Sequence, residues 1–158
     1  MEIVYAAPRR ASEETEAKLG GARRVPLMQL LATADVVTLH TPLTPDTRHL
    51  IDSAALRQMR SDAYLVNTSR GSIVDEAALV KALRAGKIAG AALDVFENEP
   101  DIHPDLRELD NVVLIPHLGS ATIETRTAMA VLAADNALAV LRGERPPTPV
   151  NPEVLATG

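Results

Sequence analysis

Runs of β-branched and aliphatic residues alternate with helical stretches from the first residues onward. Residues 2–6 predict a strand, and 12–19 a short polar helix ending at Gly20-Gly21. Residues 23–25 suit a very short strand. Residues 26–32 predict a helix, with Pro26 at its first turn, where the missing N–H is not needed. Residues 35–40 form a near-continuous apolar run, as in a strand covered on both faces. A helix over 53–59 with Ser53 as N-cap follows, then a buried strand over 63–67. Asp75 predicts the cap of an apolar-periodic helix through Leu83, stopped by Gly86. Two more strands are expected over 88–95 and 111–115. The apolar spacing over 123–141 predicts a long helix that stops at Gly143, before Pro146-Pro147. The Pro-rich tail from Arg145 to Gly158 reads as extended. Alternating strands and helices imply an open parallel sheet with helices on both faces. Right-handed crossovers then make a doubly wound α/β fold the default.

Composition narrows this picture. The chain has 158 residues, enough for one ordinary domain, and 46% are apolar. Only Tyr5, Tyr64 and Phe96 are aromatic, so the core has to be aliphatic. A net charge of −5 argues against a general nucleic-acid-binding surface. The absence of cysteine excludes disulfides, thiolate metal sites and a thiolate nucleophile, and no metal site is expected. No apolar run reaches about 18 residues, and Met1 is followed by an acid rather than a basic leader. The expectation is a cytoplasmic protein that engages no membrane.

In open parallel sheets, ligands bind at the carboxyl ends of the strands. Three ionisable residues are expected there: Arg70 after the 63–67 strand, Glu99 after 88–95, and His117 after 111–115. An imidazole can pass a proton, and a carboxylate can fix its tautomer and favour its charged form. A guanidinium can grip a carboxylate with two parallel hydrogen bonds. These types together suit proton transfer at an anionic substrate. A blander reading stands beside it, with Arg70 capping a turn, Glu99 solvated and His117 a loop histidine. His49 and His103 read as surface histidines without a role.

The stretch Met59-Arg60-Ser61-Asp62-Ala63-Tyr64-Leu65-Val66-Asn67-Thr68-Ser69-Arg70-Gly71-Ser72-Ile73-Val74-Asp75 closely resembles a signature of the D-isomer-specific 2-hydroxyacid dehydrogenases. Ala91-Ala92-Leu93-Asp94-Val95-Phe96-Glu97-Asn98-Glu99-Pro100 and Pro116-His117-Leu118-Gly119-Ser120-Ala121-Thr122 resemble its other two landmarks. The latter form, with the ending around Gly143-Glu144-Arg145-Pro146-Pro147, is most similar to the glyoxylate/hydroxypyruvate reductase branch. The resemblance implies Arg70 as substrate anchor, His117 as acid/base and Glu99 as its partner. It also implies that Asp94 meets the nicotinamide carboxamide and that His40, Thr41 and Pro42 form the loop over the cofactor. Thr68 and Ser69 would lie beside the nicotinamide ribose, with Gly119 also at the cofactor. The implied reaction is reduction of a small 2-oxo acid to a D-2-hydroxy acid with NADP or NAD. Intact relatives are expected to be homodimers.

One expected element is not found. No two glycines stand two residues apart, so the chain has no G-x-G-x-x-G phosphate turn. The resemblance explains this by matching residues 2–6 to the second strand of a dinucleotide-binding domain. On that reading the chain holds a partial dinucleotide-binding domain over 1–143 without its first β-α unit. Residues 144–158 would be a tail returning to a substrate domain. In the order 3-2-1-4-5-6 the first strand lies between the second and fourth. Strands 2–6 and 35–40 must then pair with each other, receive a strand from elsewhere, or leave open edges. The alternative function is an inactive remnant serving as an interaction or assembly module.

The resemblance also bears on cofactor choice. An acid at the end of the second strand selects NAD through the ribose 2′-hydroxyl. Here the strand runs into Ala7, Pro8, Arg9 and Arg10, with no acid until Glu13. Two guanidiniums suit a 2′-phosphate, so NADP is the expected cofactor.

Overall fold

The computed structural model describes residues 1–156, leaving Thr157 and Gly158, the end of the expected tail, outside the described residues. The chain divides into two compact units, Met1–His117 and Leu118–Gly158.

In the first unit, β1 (Val4–Tyr5) leads into α1 (Glu13–Lys18), β2 (Arg23–Arg24) and α2 (Leu27–Thr33). β3 (Val36–Leu39), α3 (Ser53–Gln58), β4 (Tyr64–Asn67), α4 (Glu76–Arg84), β5 (Gly90–Leu93) and β6 (Val112–Leu114) follow. The pairings among these strands are all parallel. β1 pairs with β2, and β3-β4-β5-β6 form a four-stranded sheet. This is the expected α/β architecture. Its strands are shorter than the apolar runs implied, because the run ends turn into the connecting loops. β1 and β3 do not pair with each other, so the parallel order is broken between them among the described residues.

The core sits around β4 and β5. Leu65, Ile73, Leu79, Ile88 and Leu106 are fully buried, together with Leu31, Leu56 and Val74. Phe96 is the sole aromatic residue in this cluster, in keeping with an aliphatic core. Tyr64 stays exposed on β4. Its ring lies over Gly90, where a Cβ would approach the Asn111 carbonyl oxygen to 2.7 Å.

Helix starts follow local chemistry. Ser12 caps α1 by accepting the Thr15 N–H, and Asp75 caps α4 by accepting the Ala78 N–H. At α3 the expectation of Ser53 is corrected. Asp52 is the cap, with its carboxylate accepting from Ala54 and Ala55 at 2.8 Å each. A carboxylate accepts more strongly than a hydroxyl, so the earlier acid takes the position.

The second unit holds α5 (Ile123–Leu141), capped by Thr122 and ended by Gly143 at φ 72°. Among its described residues the tail is not wholly extended. Pro152–Ala156 form a 3-10 turn, and Thr148 exchanges hydrogen bonds with the Asn136 side chain at 2.9 and 3.0 Å. The earlier expectation of an extended tail missed this because Pro can start a helical turn as well as break one. No helix among the described residues is long and apolar enough to cross a membrane.

Leu65 lies fully buried at the middle of β4, between β3 and β5. Leu65→Ala removes packed methyl groups and should lower stability by about 2–5 kcal/mol. Urea denaturation of the two proteins measures it. A loss under about 1 kcal/mol would place the core elsewhere.

Candidate active site at the carboxyl rim of the sheet

β4 ends in Asn67, whose buried side chain organises the turn that follows. Its Oδ1 accepts the Ser69 N–H at 3.1 Å, and its Nδ2 donates to the Arg70 carbonyl at 3.0 Å. Ser69 donates its hydroxyl to the Thr41 carbonyl, tying this turn to the loop after β3. Arg70 is exposed, with one guanidinium N–H on the Ser69 carbonyl at 2.7 Å.

The next residue explains why the Arg70 turn sits where it does. A Cβ on Gly71 would lie 1.9 Å from the Phe96 carbonyl carbon and 2.4 Å from the Glu97 nitrogen. Only glycine permits that approach of two backbones. The turn after β4 is thereby locked against the loop after β5.

That loop carries Glu99. One carboxylate oxygen accepts the Phe96 N–H at 2.9 Å, and the other lies 2.9 Å from His117 Nδ1. The loop also contains a cis Glu99-Pro100 bond. His117 follows β6 with φ 53°, a left-handed backbone that histidine tolerates better than most side chains. Its N–H bonds to the Asp94 carbonyl at 2.9 Å, which stitches the ends of β5 and β6 together. The His117 hydrogen bond holds the Glu99 carboxyl below its ordinary value. The Phe96 N–H adds to this, while burial and Asp94 oppose it.

Asp94 is buried at the end of β5. His40 and Thr68 lie exposed at the ends of β3 and β4, and Pro42 is exposed in the loop between. His40 Nε2 meets Thr38 Oγ1 at 3.0 Å. Thr41 Oγ1 is buried without a hydrogen-bond partner. An orphaned hydroxyl beside the Ser69 turn, with a buried acid at the next strand, fits a ligand that brings polar groups to this rim. Gly119 belongs to the second unit.

Sequence reasoning missed several partners. Arg10, expected to face a phosphate, instead grips Glu16 with Nε at 3.1 Å and Nη2 at 2.8 Å. The Tyr5 hydroxyl donates to the same carboxylate at 2.6 Å. Arg24 braces the turn before Arg9, donating to the Ala7 and Pro8 carbonyls at 2.8 and 3.1 Å. Arg9 remains exposed. Glu16 was hidden because an acid on a polar helix signals solvent, not burial. His49 and His103 are partly exposed, and each has one ring nitrogen buried without a hydrogen bond. His49 Nε2 lies 2.8 Å from Glu97, a close but poorly aligned approach.

The rim residues together can hold an anion at Arg70 and pass a proton through the Glu99–His117 pair. Residues 1–119 match the model for the NAD-binding domain of D-isomer-specific 2-hydroxyacid dehydrogenases. The chain belongs to that family.

The glyoxylate reductase of Thermococcus onnurineus is 53% identical over 155 residues, covering 98% of this chain and 46% of its own length. That of Thermofilum pendens is 60% identical over 128 residues, or 80% of this chain and 38% of the relative. A crystal structure of the NADPH-dependent glyoxylate/hydroxypyruvate reductase of Sinorhizobium meliloti, holding NADP and malonate, aligns with a TM-score of 0.84 at 37% identity. The alignment covers 94% of this chain and 45% of that one. The chain thus spans about half the length of such relatives.

Arg10 and Tyr5 lower the Glu16 carboxyl to about 2, with the Arg10 bond contributing most and burial opposing. Because the folded value lies below the ordinary one, the unfolded chain takes up this proton first as acid is added. The contribution of Glu16 to stability is complete above about 4.5 and is lost as pH falls toward about 2. Denaturation midpoints through that range should fall more steeply for wild type than for Glu16→Gln. Parallel profiles would show that Glu16 does not carry the pair.

Proposed function

We infer that the chain carries the proton-transfer and cofactor-binding part of an oxidoreductase acting on small 2-oxo acids. The substrate class is that of glyoxylate and hydroxypyruvate, and the product a D-2-hydroxy acid. The observation that carries this reading is the 2.9 Å Glu99–His117 pair at a rim shared with Arg70.

Arg70 binds the substrate carboxylate, and its planar fork fixes the plane of the adjoining carbonyl. Glu99 holds Nδ1 of His117, which leaves Nε2 as the atom that gives a proton to the 2-oxo oxygen. The lowered Glu99 carboxyl stays ionised and so remains an acceptor for the ring N–H. A nicotinamide cofactor, when bound, supplies the hydride. The orphaned Thr41 hydroxyl, the Ser69 turn, Thr68 and buried Asp94 are the groups that would hold its nicotinamide end. His40 and Pro42 flank Thr41 in the same loop. NADP is the preferred cofactor. Arg9 carries that preference, since Arg10 is already committed to Glu16.

The missing G-x-G-x-x-G turn favours a second reading for these 158 residues by themselves, an assembly module with little turnover. A chimera separates the two. With this chain replacing the matching segment of the Thermococcus onnurineus enzyme, glyoxylate reduction is expected, and the isolated chain should show almost none. In the chimera His117→Ala should cost about 10²–10⁴ in kcat. Arg70→Lys should raise KM and lower kcat, because an ammonium cannot reproduce the fork. The kcat/KM ratio should favour NADPH over NADH and fall in Arg9→Ala more than in Arg10→Ala. A cofactor-binding chimera that is inactive, or one indifferent to His117→Ala, would overturn the assignment. An NADH preference would overturn the cofactor reading alone.

A further inference from the structure

Behind the Glu99–His117 pair lies a second pair of acids that the reaction itself does not use. Glu76 opens α4, directly after the Asp75 cap, and is 5% exposed. Its carboxylate does not serve its own helix. It reaches across to the loop after β5 and accepts the Glu97 N–H at 2.7 Å. Glu97 returns the contact, with a carboxylate oxygen accepting the Glu76 N–H at 3.3 Å. Two acids 21 residues apart thus cap each other's backbone.

The peptide they hold is the one that Gly71 abuts. One face of the Phe96–Glu97 peptide is pressed by the Gly71 backbone, and its N–H is fixed by Glu76. Its orientation sets where the neighbouring Phe96 N–H points, and that N–H holds Glu99. The segment leading from Arg70 to Glu76 is pinned from its other side. His49 N–H bonds to the Ser72 carbonyl at 2.8 Å, and Ile51 exchanges bonds with Ile73 and Asp75 at 3.0 and 3.1 Å.

We propose that Glu76 and Glu97 are positioning residues, forming a reciprocal backbone clamp that shapes turn 96–99 so that Glu99 faces His117. The proposal rests on reading Glu99 and His117 as the proton-handling pair. Burial raises the Glu76 carboxyl above its ordinary value, the Glu97 N–H bond opposes this, the Glu97 charge adds to it, and the nearby His103 again opposes it. Ionised Glu76 is therefore a strained choice for a mere helix start, where an exposed acid would do. What the position needs is an acceptor oxygen, and a neutral amide also supplies one.

The test follows the Glu99 carboxyl by NMR titration of the full chain. Besides His117, the charged group facing Glu99 is Asp94 from the end of β5. In wild type Glu99 should titrate below an ordinary glutamate and rise in His117→Gln. Glu76→Ala should move it up toward the ordinary value, while Glu76→Gln, which keeps the acceptor, should hold it near wild type. Glu97→Ala removes the longer of the two bonds. It should give a smaller upward shift, and it decides the matter if Glu76→Ala does not fold. A Glu99 titration unmoved in folded Glu76→Ala or in Glu97→Ala would overturn the clamp and leave the pair intact. Equal disruption by Glu76→Gln and Glu76→Ala would do the same. A wild-type Glu99 that titrates normally and ignores His117→Gln would instead overturn the pair, and the clamp with it.

Discussion

A carboxylate shared between a backbone N–H and an imidazole is the contact on which this rim depends. Glu99 has one oxygen on Phe96 and the other on His117, so the loop after β5 and the turn after β6 are held by a single side chain. The arrangement works only because the backbone beneath it is fixed. Gly71 brings the Arg70 turn against the Phe96 carbonyl, and the Asp94 carbonyl takes the His117 N–H. Three strand ends from distant parts of the sequence thus deliver a cation, an acid and an imidazole to one edge of the sheet.

The cost of that convergence is visible in the backbone and in the burial of charge. His117 adopts a left-handed conformation, on the order of 1–3 kcal/mol of strain for a residue that is not glycine. Glu76 is an acid kept out of water close to a second acid. His117 and Glu76 both lie within the residues that frame Glu99. The core supplies rigidity, and the strained positions supply the aim.

Much of this was legible from the sequence. The alternating pattern located all six strands and five helices of the described residues, and strand ends pointed to Arg70, Glu99 and His117. Length was read less well, because a run such as 88–95 opens on Ile88 and Ala89, apolar residues that precede the strand at Gly90. Partners across the fold were not legible. Nothing in the spacing of Arg10 and Glu16 says that they pair rather than face solvent, and nothing about Glu76 says that it leaves its own helix for Glu97. Asp52 displaced Ser53 as a cap through a choice between adjacent acceptors that only backbone geometry settles. Local periodicity reports which face is buried, whereas these contacts depend on which loops meet.

On the proposed reading, Glu99 orients the His117 ring, holding Nδ1 and freeing Nε2 for the substrate oxygen. Ring-nitrogen NMR of His117 in alkaline buffer, where the imidazole is neutral, reads this directly. The expected result is the proton on Nδ1, the tautomer that donates to Glu99, and a switch toward the Nε2–H form in Glu99→Ala. A wild-type ring with its proton on Nε2, unchanged by Glu99→Ala, would contradict it.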